Sequence, residues 1–257
     1  MYIDTHLHLN SEKYPDSLEV IEKANLVGVS KFITIGTTYQ EIPEILNLIK
    51  HPQVFGTLGI YPTYDNELSI EDLISYLTRN LNPKIVGIGE CGFNQPIYPG
   101  ERELILQEEL FRAQIELALS LDLPLIVHTR NSDKETLKVL ESYKNKNLKG
   151  VIHCFVSEYE FAKKVLDLGF YLSFNGIITY KSGNTIYETI EKMPLDRILL
   201  ETDAPYLSPE GFRDKFNEPK YLPIIAQKLA EIKKIDISLL KLEIYKNSLR
   251  LFDKITE

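Results

Sequence analysis

The stretch Tyr2-Ile3-Asp4-Thr5-His6-Leu7-His8 is a short β-branched run that ends on two histidines. Side chains of an extended strand alternate with period two, so His6 and His8 point to the same side. A pair at this spacing is a chelate in a strand, whereas a helix needs a spacing of about four. The stretch therefore reads as a strand that presents imidazoles at its C-terminal end.

Seven similar runs follow: Lys31 to Gly36, Val54 to Gly59, Ile85 to Gly89, Leu125 to His128, Val151 to Phe155, Tyr171 to Phe174 and Ile198 to Thr202. With Tyr2 to His6 they make eight strand candidates. Apolar residues between them return every three or four positions, as at Leu104, Leu110, Phe111, Ile115 and Leu117 to Leu121, which is helical spacing. Strand then helix, repeated, signals a parallel sheet. Eight such units in 257 residues predict a closed (β/α)8 TIM barrel. An open doubly wound sheet is the rival that counting alone leaves standing. No Ser/Gly-rich or Pro-rich linker divides the chain, so residues 1–257 are expected to form a single domain. The tail from Pro219 to Phe252 reads as two helices separated near Ile235-Asp236-Ile237-Ser238, with Ser238 or Asp236 capping the second.

Composition narrows the classes further. At 44% apolar and 26% charged residues, disordered and collagen-like chains are excluded. Cys91 and Cys154 cannot make a disulfide framework or a four-cysteine zinc site. The start lacks a basic region followed by an apolar one, and no run approaches the ~18 apolar residues of a membrane span. The expectation is a cytoplasmic protein with no membrane association and no obligate protein partner. A formal net charge of −8 argues against a basic surface that grips polyanions. A phosphate-bearing substrate then needs another source of positive field.

Of five histidines, His6, His8, His128 and His153 fall at or just beyond strand ends. Glu90 ends the fourth strand candidate and Asp203 follows the eighth. In a βα barrel these ends share one face, so six metal-competent side chains converge. Burying so many titratable groups is costly, and a divalent cation offsets the cost. Six donors exceed the three or four of one catalytic zinc, which points to two ions sharing a carboxylate, with Glu90 as the candidate bridge. Imidazole plus carboxylate suits zinc, manganese, iron, nickel or magnesium without selecting one. A divalent pair of this kind activates water, so the chemistry expected is hydrolysis.

Neighbouring residues have double readings. Arg130 and Glu201 each stand two residues from a ligand candidate, on the same strand face, and so become candidates for substrate contact or for orienting ligands. A mutual or structural ion pair is their plainer role. Cys154 is expected to face away and pack against a helix. Arg213, Lys215 and Lys220 could steer a nucleic-acid backbone, although scattered charge on a solvated loop is the simpler reading. Tyr61, Tyr64, Phe93 and Tyr206 could stack bases. Gly87 to Gly92 satisfies G-x-G-x-x-G, but the following Phe93 to Gly100 holds two prolines and a glycine where a dinucleotide site needs a helix.

Taken in order, His6-x-His8, Gly89-Glu90-x-Gly92, His128-x-Arg130, His153-Cys154-Phe155, Leu200-Glu201-Thr202-Asp203-x-Pro205 and Asn217-Glu218-Pro219 resemble the motif series of the TatD family of metal-dependent deoxyribonucleases. The resemblance runs from Asp4 to Phe252. It implies an amidohydrolase-type barrel with one ion held by His6, His8, Glu90 and Asp203 and a second by Glu90, His128 and His153. It also implies that Asp203 orients or deprotonates the attacking water, and that the substrate is DNA, commonly cleaved from 3′ to 5′. Three positions depart from the family pattern: Tyr61 replaces a histidine, Asn94 an aspartate and Phe216 an arginine. Tyr61, Asn94 and Asn217 join Arg130 and Glu201 as substrate-side candidates. The rival function is hydrolysis of a small ester, lactone or phosphoester. Its carbamate-bridged subclass uses a lysine where this chain has Glu90.

Overall fold

The computed structural model describes residues 1–64 and 68–255. Residues 65–67 and 256–257, which fall inside the expected 1–257 domain, lie outside the described residues. Eight strands form one sheet: β1 (Tyr2–Leu7), β2 (Val29–Thr34), β3 (Val54–Leu58), β4 (Ile85–Asn94), β5 (Leu125–Arg130), β6 (Gly150–Ile152), β7 (Tyr171–Phe174) and β8 (Ile198–Leu200). Between and after them come α1 (Ser17–Asn25), α2 (Ile42–Leu48), α3 (Ile70–Arg79), α4 (Leu104–Leu121), α5 (Asp133–Glu141), α6 (Tyr159–Asp167), α7 (Tyr187–Lys192), α8 (Leu222–Lys233) and α9 (Ile237–Leu251).

Each strand pairs in parallel with the next in chain order. The last returns to the first through a parallel bridge between Leu7 and Ala204 and through the Thr5 hydroxyl, which donates to the Leu200 carbonyl at 2.9 Å. The fold is a TIM barrel, not an open sheet. Strands covered on both faces need apolar residues on both, which is why most of them read as near-continuous hydrophobic runs. Residues such as Phe32, Val54 and Ile85 pack with the helices, while Ile33, Phe55, Val86, Ile126, Val151 and Leu199 form a separate inner cluster.

Strand β4 runs to Asn94 rather than stopping at Gly89, so Glu90 lies within the strand and not at its end. The cause is Gly92, at φ +130°, where a Cβ would collide with the His128 carbonyl oxygen. Glycine lets β4 continue against β5 with Gly92 opposite His128. The glycine-rich segment is therefore strand, and the next helix opens only at Leu104. In the tail, Asp236 rather than Ser238 caps α9, accepting from the backbone nitrogens of Ser238 and Leu239 at 2.8 and 3.4 Å. No helix of the described residues is long and apolar enough to cross a membrane.

Candidate metal centre

The C-terminal side of the barrel brings all six expected donors together. His6 lies in β1 and His8 just past it, Glu90 within β4, His128 within β5, His153 just past β6, and Asp203 just past β8. The closing bonds of the barrel set the last of these, because the Asp203 nitrogen donates to the His6 carbonyl at 2.9 Å. Asp203 itself adopts φ +56°, which ends the extended geometry and turns its side chain toward β1.

Glu90 stands at the centre. Its Oε2 lies 3.5 Å from His6 Nε2, while its Oε1 lies 3.0 Å from both His128 Nδ1 and His153 Nε2. Asp203 Oδ1 is 3.6 Å from His6 Nε2 and 3.5 Å from His8 Nε2. The His6 and His153 rings stack face to face at 4.0 Å. Ligand atoms of His6, His8 and Asp203, and of His6, Glu90 and His153, are close enough together to hold a metal ion. The donor chemistry fits as well. His6 is 1% exposed, yet neither of its ring nitrogens has a hydrogen-bond partner among the described residues. An unsatisfied buried imidazole is costly, and a cation on its lone pair removes that cost.

The electrostatics without a cation are those of a compressed imidazole–carboxylate cluster. Burial opposes ionisation of Glu90, yet His153 and His128 beside it hold its carboxyl well below the usual range. Burial likewise pulls His153 down, but Glu90 and Glu201 prevail and hold it well above its ordinary value. His8 is raised despite burial by its pairing with Asp203, whereas for His128 burial dominates and lowers it. The cluster forms the floor of an open cleft of about 1900 Å³.

Around this floor the substrate-side candidates separate. Arg130 is exposed and lines the cleft. Glu201 is 1% exposed and sits behind His153, its Oε1 3.6 Å from Nδ1 of that ring and 2.7 Å from the Cys154 nitrogen, which donates to it. Of the plainer readings, Glu201 thus takes the structural pairing, with His153, and not the mutual one with Arg130. Asn217 is fully buried, and its amide nitrogen donates to the carbonyls of Thr202 and Tyr206 at 2.8 and 2.6 Å. It braces the loop after β8. Tyr61 and Asn94 meet at His128: the Tyr61 hydroxyl lies 3.0 Å from His128 Nε2 and 3.2 Å from Asn94 Oδ1, and Asn94 Oδ1 lies 3.0 Å from the same Nε2. Cys154 lines the cleft rather than facing a helix, because β6 ends at Ile152 and Cys154 adopts φ +48°. The loop cations are engaged locally, Arg213 over the Tyr180 ring, Lys215 over Phe212 and Lys220 with Glu218. Of the four aromatics expected to stack bases, Phe93 is fully buried. His51, the remaining histidine, accepts from the Gln53 nitrogen in the turn before β3.

Three positioning residues had not been singled out. Gln107 and Gln114, both fully buried on α4, clamp the two departures: Gln107 Oε1 accepts from the Asn94 nitrogen at 2.9 Å, and Gln114 bonds both the nitrogen and the carbonyl of Ile60, next to Tyr61. Their signal was two amides seven positions apart on an otherwise apolar helix face. Asp4 accepts from the nitrogen and hydroxyl of Thr202, tying β1 to β8 beneath the site, and its burial raises its carboxyl to about 7. Its position among apolar strand residues was the available clue.

An imidazole–carboxylate cluster on the C-terminal face of a parallel barrel defines the class, a metal-dependent hydrolase. The sequence model of the family described as "TatD related DNase" matches residues 3–253, and the chain belongs to the TatD family. It is 33% identical over 254 residues to the "uncharacterized metal-dependent hydrolase YabD" of Bacillus subtilis, covering 98% of this chain and 99% of that one. It is 32% identical over 260 residues to the "3′-5′ ssDNA/RNA exonuclease TatD" of Erwinia tasmaniensis, covering 97% of this chain and 99% of the relative. Among solved structures, the TatD homolog YjjV of Escherichia coli superposes with a TM-score of 0.89 at 27% identity, covering 98% of each chain.

Proposed function

We propose that the protein is a two-metal phosphodiesterase of nucleic acid, most concretely a deoxyribonuclease of the 3′-to-5′ exonuclease type working in the cytoplasm. The observation that carries this reading is the division of Glu90, with one oxygen toward His6 and the other toward His128 and His153. His6, His8 and Asp203 would hold one ion, His128 and His153 the other, and Glu90 would span the two. Bound there, two divalent cations would supply Lewis acidity and lower the pKa of a water for hydrolysis of a phosphodiester.

The chain's own groups complete the work. Asp203 turns Oδ1 to His6 and His8, which leaves Oδ2 to orient the attacking water and take its proton. Arg130, exposed at the cleft, meets a phosphate oxygen. Glu201 and Asn94 hold the His153 and His128 rings in register. The net charge of −8 is compatible with a phosphate substrate because the positive field is local to the ions. The name of the Erwinia tasmaniensis relative, a 3′-5′ ssDNA/RNA exonuclease, supports nucleic acid as the substrate class.

The test is turnover by metal-reconstituted protein on single-stranded DNA, duplex DNA, RNA and small esters, with Asp203→Ala controlling for contaminants. DNA cleavage that disappears on chelation and in the variant is expected. Full activity after chelation contradicts the reading, and activity confined to small esters, lactones or phosphoesters replaces the substrate.

A further inference from the structure

Beside the metal cluster, the loop after β8 carries two aromatic rings that the hydrolytic machinery does not use. Tyr206 is 47% exposed and Phe216 57% exposed, although large aromatic side chains are strongly driven to bury their surface. The Lys13 ammonium lies 4.1 Å from the centre of the Tyr206 ring and 5.4 Å from that of Phe216. The platform adjoins the catalytic floor, because the Tyr206 ring meets His8 edge to face at 5.7 Å. Both Lys13 and Tyr206 line the cleft.

The platform is held in place. Asn217, next to Phe216, donates to the Tyr206 carbonyl, and its own carbonyl accepts from the buried Tyr14 hydroxyl at 2.6 Å. The other aromatic candidates are committed elsewhere: Tyr61 to His128 and Asn94, and Tyr64 to Gln40.

Charge around the cleft limits what the platform can take. Glu12, Glu41 and Glu44 line the mouth with Lys13, and besides Lys13 the described lining offers only Arg130 and Lys134 as Lys or Arg cations. A long polyanion would find little continuous positive surface, unlike the basic grooves that track a backbone. Stacking is what the rim offers instead, and every nucleobase has a face to stack. An exposed cation over a ring is held more weakly than a base on a ring, so an arriving base displaces the Lys13 ammonium toward the adjoining phosphate.

We propose that Lys13, Tyr206 and Phe216 form a subsite for the terminal base and adjoining phosphate of a single-stranded polynucleotide, so that substrate is selected at a strand end by stacking rather than by base identity. This inference rests on the phosphodiesterase reading. The experiment compares metal-loaded wild type with Tyr206→Leu and Phe216→Leu on three substrates: a short single strand, the same strand with both terminal positions abasic, and a generic aryl phosphodiester. In wild type the intact strand is preferred over the abasic strand roughly tenfold in kcat/KM, with the difference in KM. In both variants that preference collapses, and the ratio of strand to aryl diester kcat/KM falls by a similar factor. Circular dichroism and metal content of the variants exclude a folding defect as the cause. Turnover of strand and diester with an unchanged preference in the variants, or no preference in wild type, overturns the subsite alone. No turnover of any substrate by wild type overturns the phosphodiesterase reading and the subsite with it.

Discussion

Asn94 Oδ1 lies 3.0 Å from His128 Nε2. An amide oxygen only accepts, so with a cation on the Nδ1 side the ring would carry its proton on Nε2 and donate it to Asn94. The Tyr61 hydroxyl shares the contact. Tyr61 and Asn94 thus act as one unit on the Nε2 side of the His128 ring.

Asn94→Leu removes that acceptor. Affinity at the His128 side of the site should weaken about 10- to 100-fold, the usual effect of losing a hydrogen bond behind a metal ligand. Metal titration of the chelated variant checks this, and an affinity equal to wild type contradicts the assignment.

Protons should compete with metal in a defined direction. His153 is raised above its ordinary 6.5 and Glu90 lowered below its ordinary 4.5. In the metal-free protein the Glu90 contribution to stability is present above about 4.5 and lost as pH falls through its folded value. The His153 contribution is present below about 6.5 and lost as pH rises through its folded value. His153 therefore keeps its proton near neutrality and must release it to bind a cation, so metal affinity rises with pH. Calorimetric metal titration at pH 7 in two buffers of different ionisation enthalpy should report proton release, reduced in Glu201→Gln. Zero release contradicts the raised His153.

Gly59 abuts β4 directly beneath the centre. A Cβ there would press on the Gly89 backbone and come within 2.6 Å of the Glu90 nitrogen. Gly59→Ala should displace Glu90, costing about 1–3 kcal/mol by overpacking and lowering bound metal. Denaturant unfolding and metal analysis measure the two effects. Wild-type values for both would mean that the strands can separate freely.

Much of the fold was legible because a strand covered on both faces must be apolar throughout, and all eight runs were strands. The convergence of the six candidate donors was legible because the C-terminal sides of the strands in such a barrel share one face. Period-two alternation failed where the chain left extended geometry. Cys154, at φ +48°, turned into the cleft, and Glu201, two residues before Asp203 at φ +56°, turned behind His153. The end of β4 was hidden because its continuation past Gly89 depends on a close approach to β5 at Gly92. Tyr61 and Asn94 were each visible as departures, but their contact joins residues 33 positions apart, and only the closed barrel brings them together.

The division of the Glu90 carboxylate between two sets of histidines is the central claim, and metal content per chain tests it most directly. Wild type, Glu90→Ala and His128→Ala, reconstituted at the same free metal concentration, should carry two ions, almost none, and one. Glu90→Ala that keeps both ions while remaining folded, or wild type that saturates with a single ion, contradicts the account.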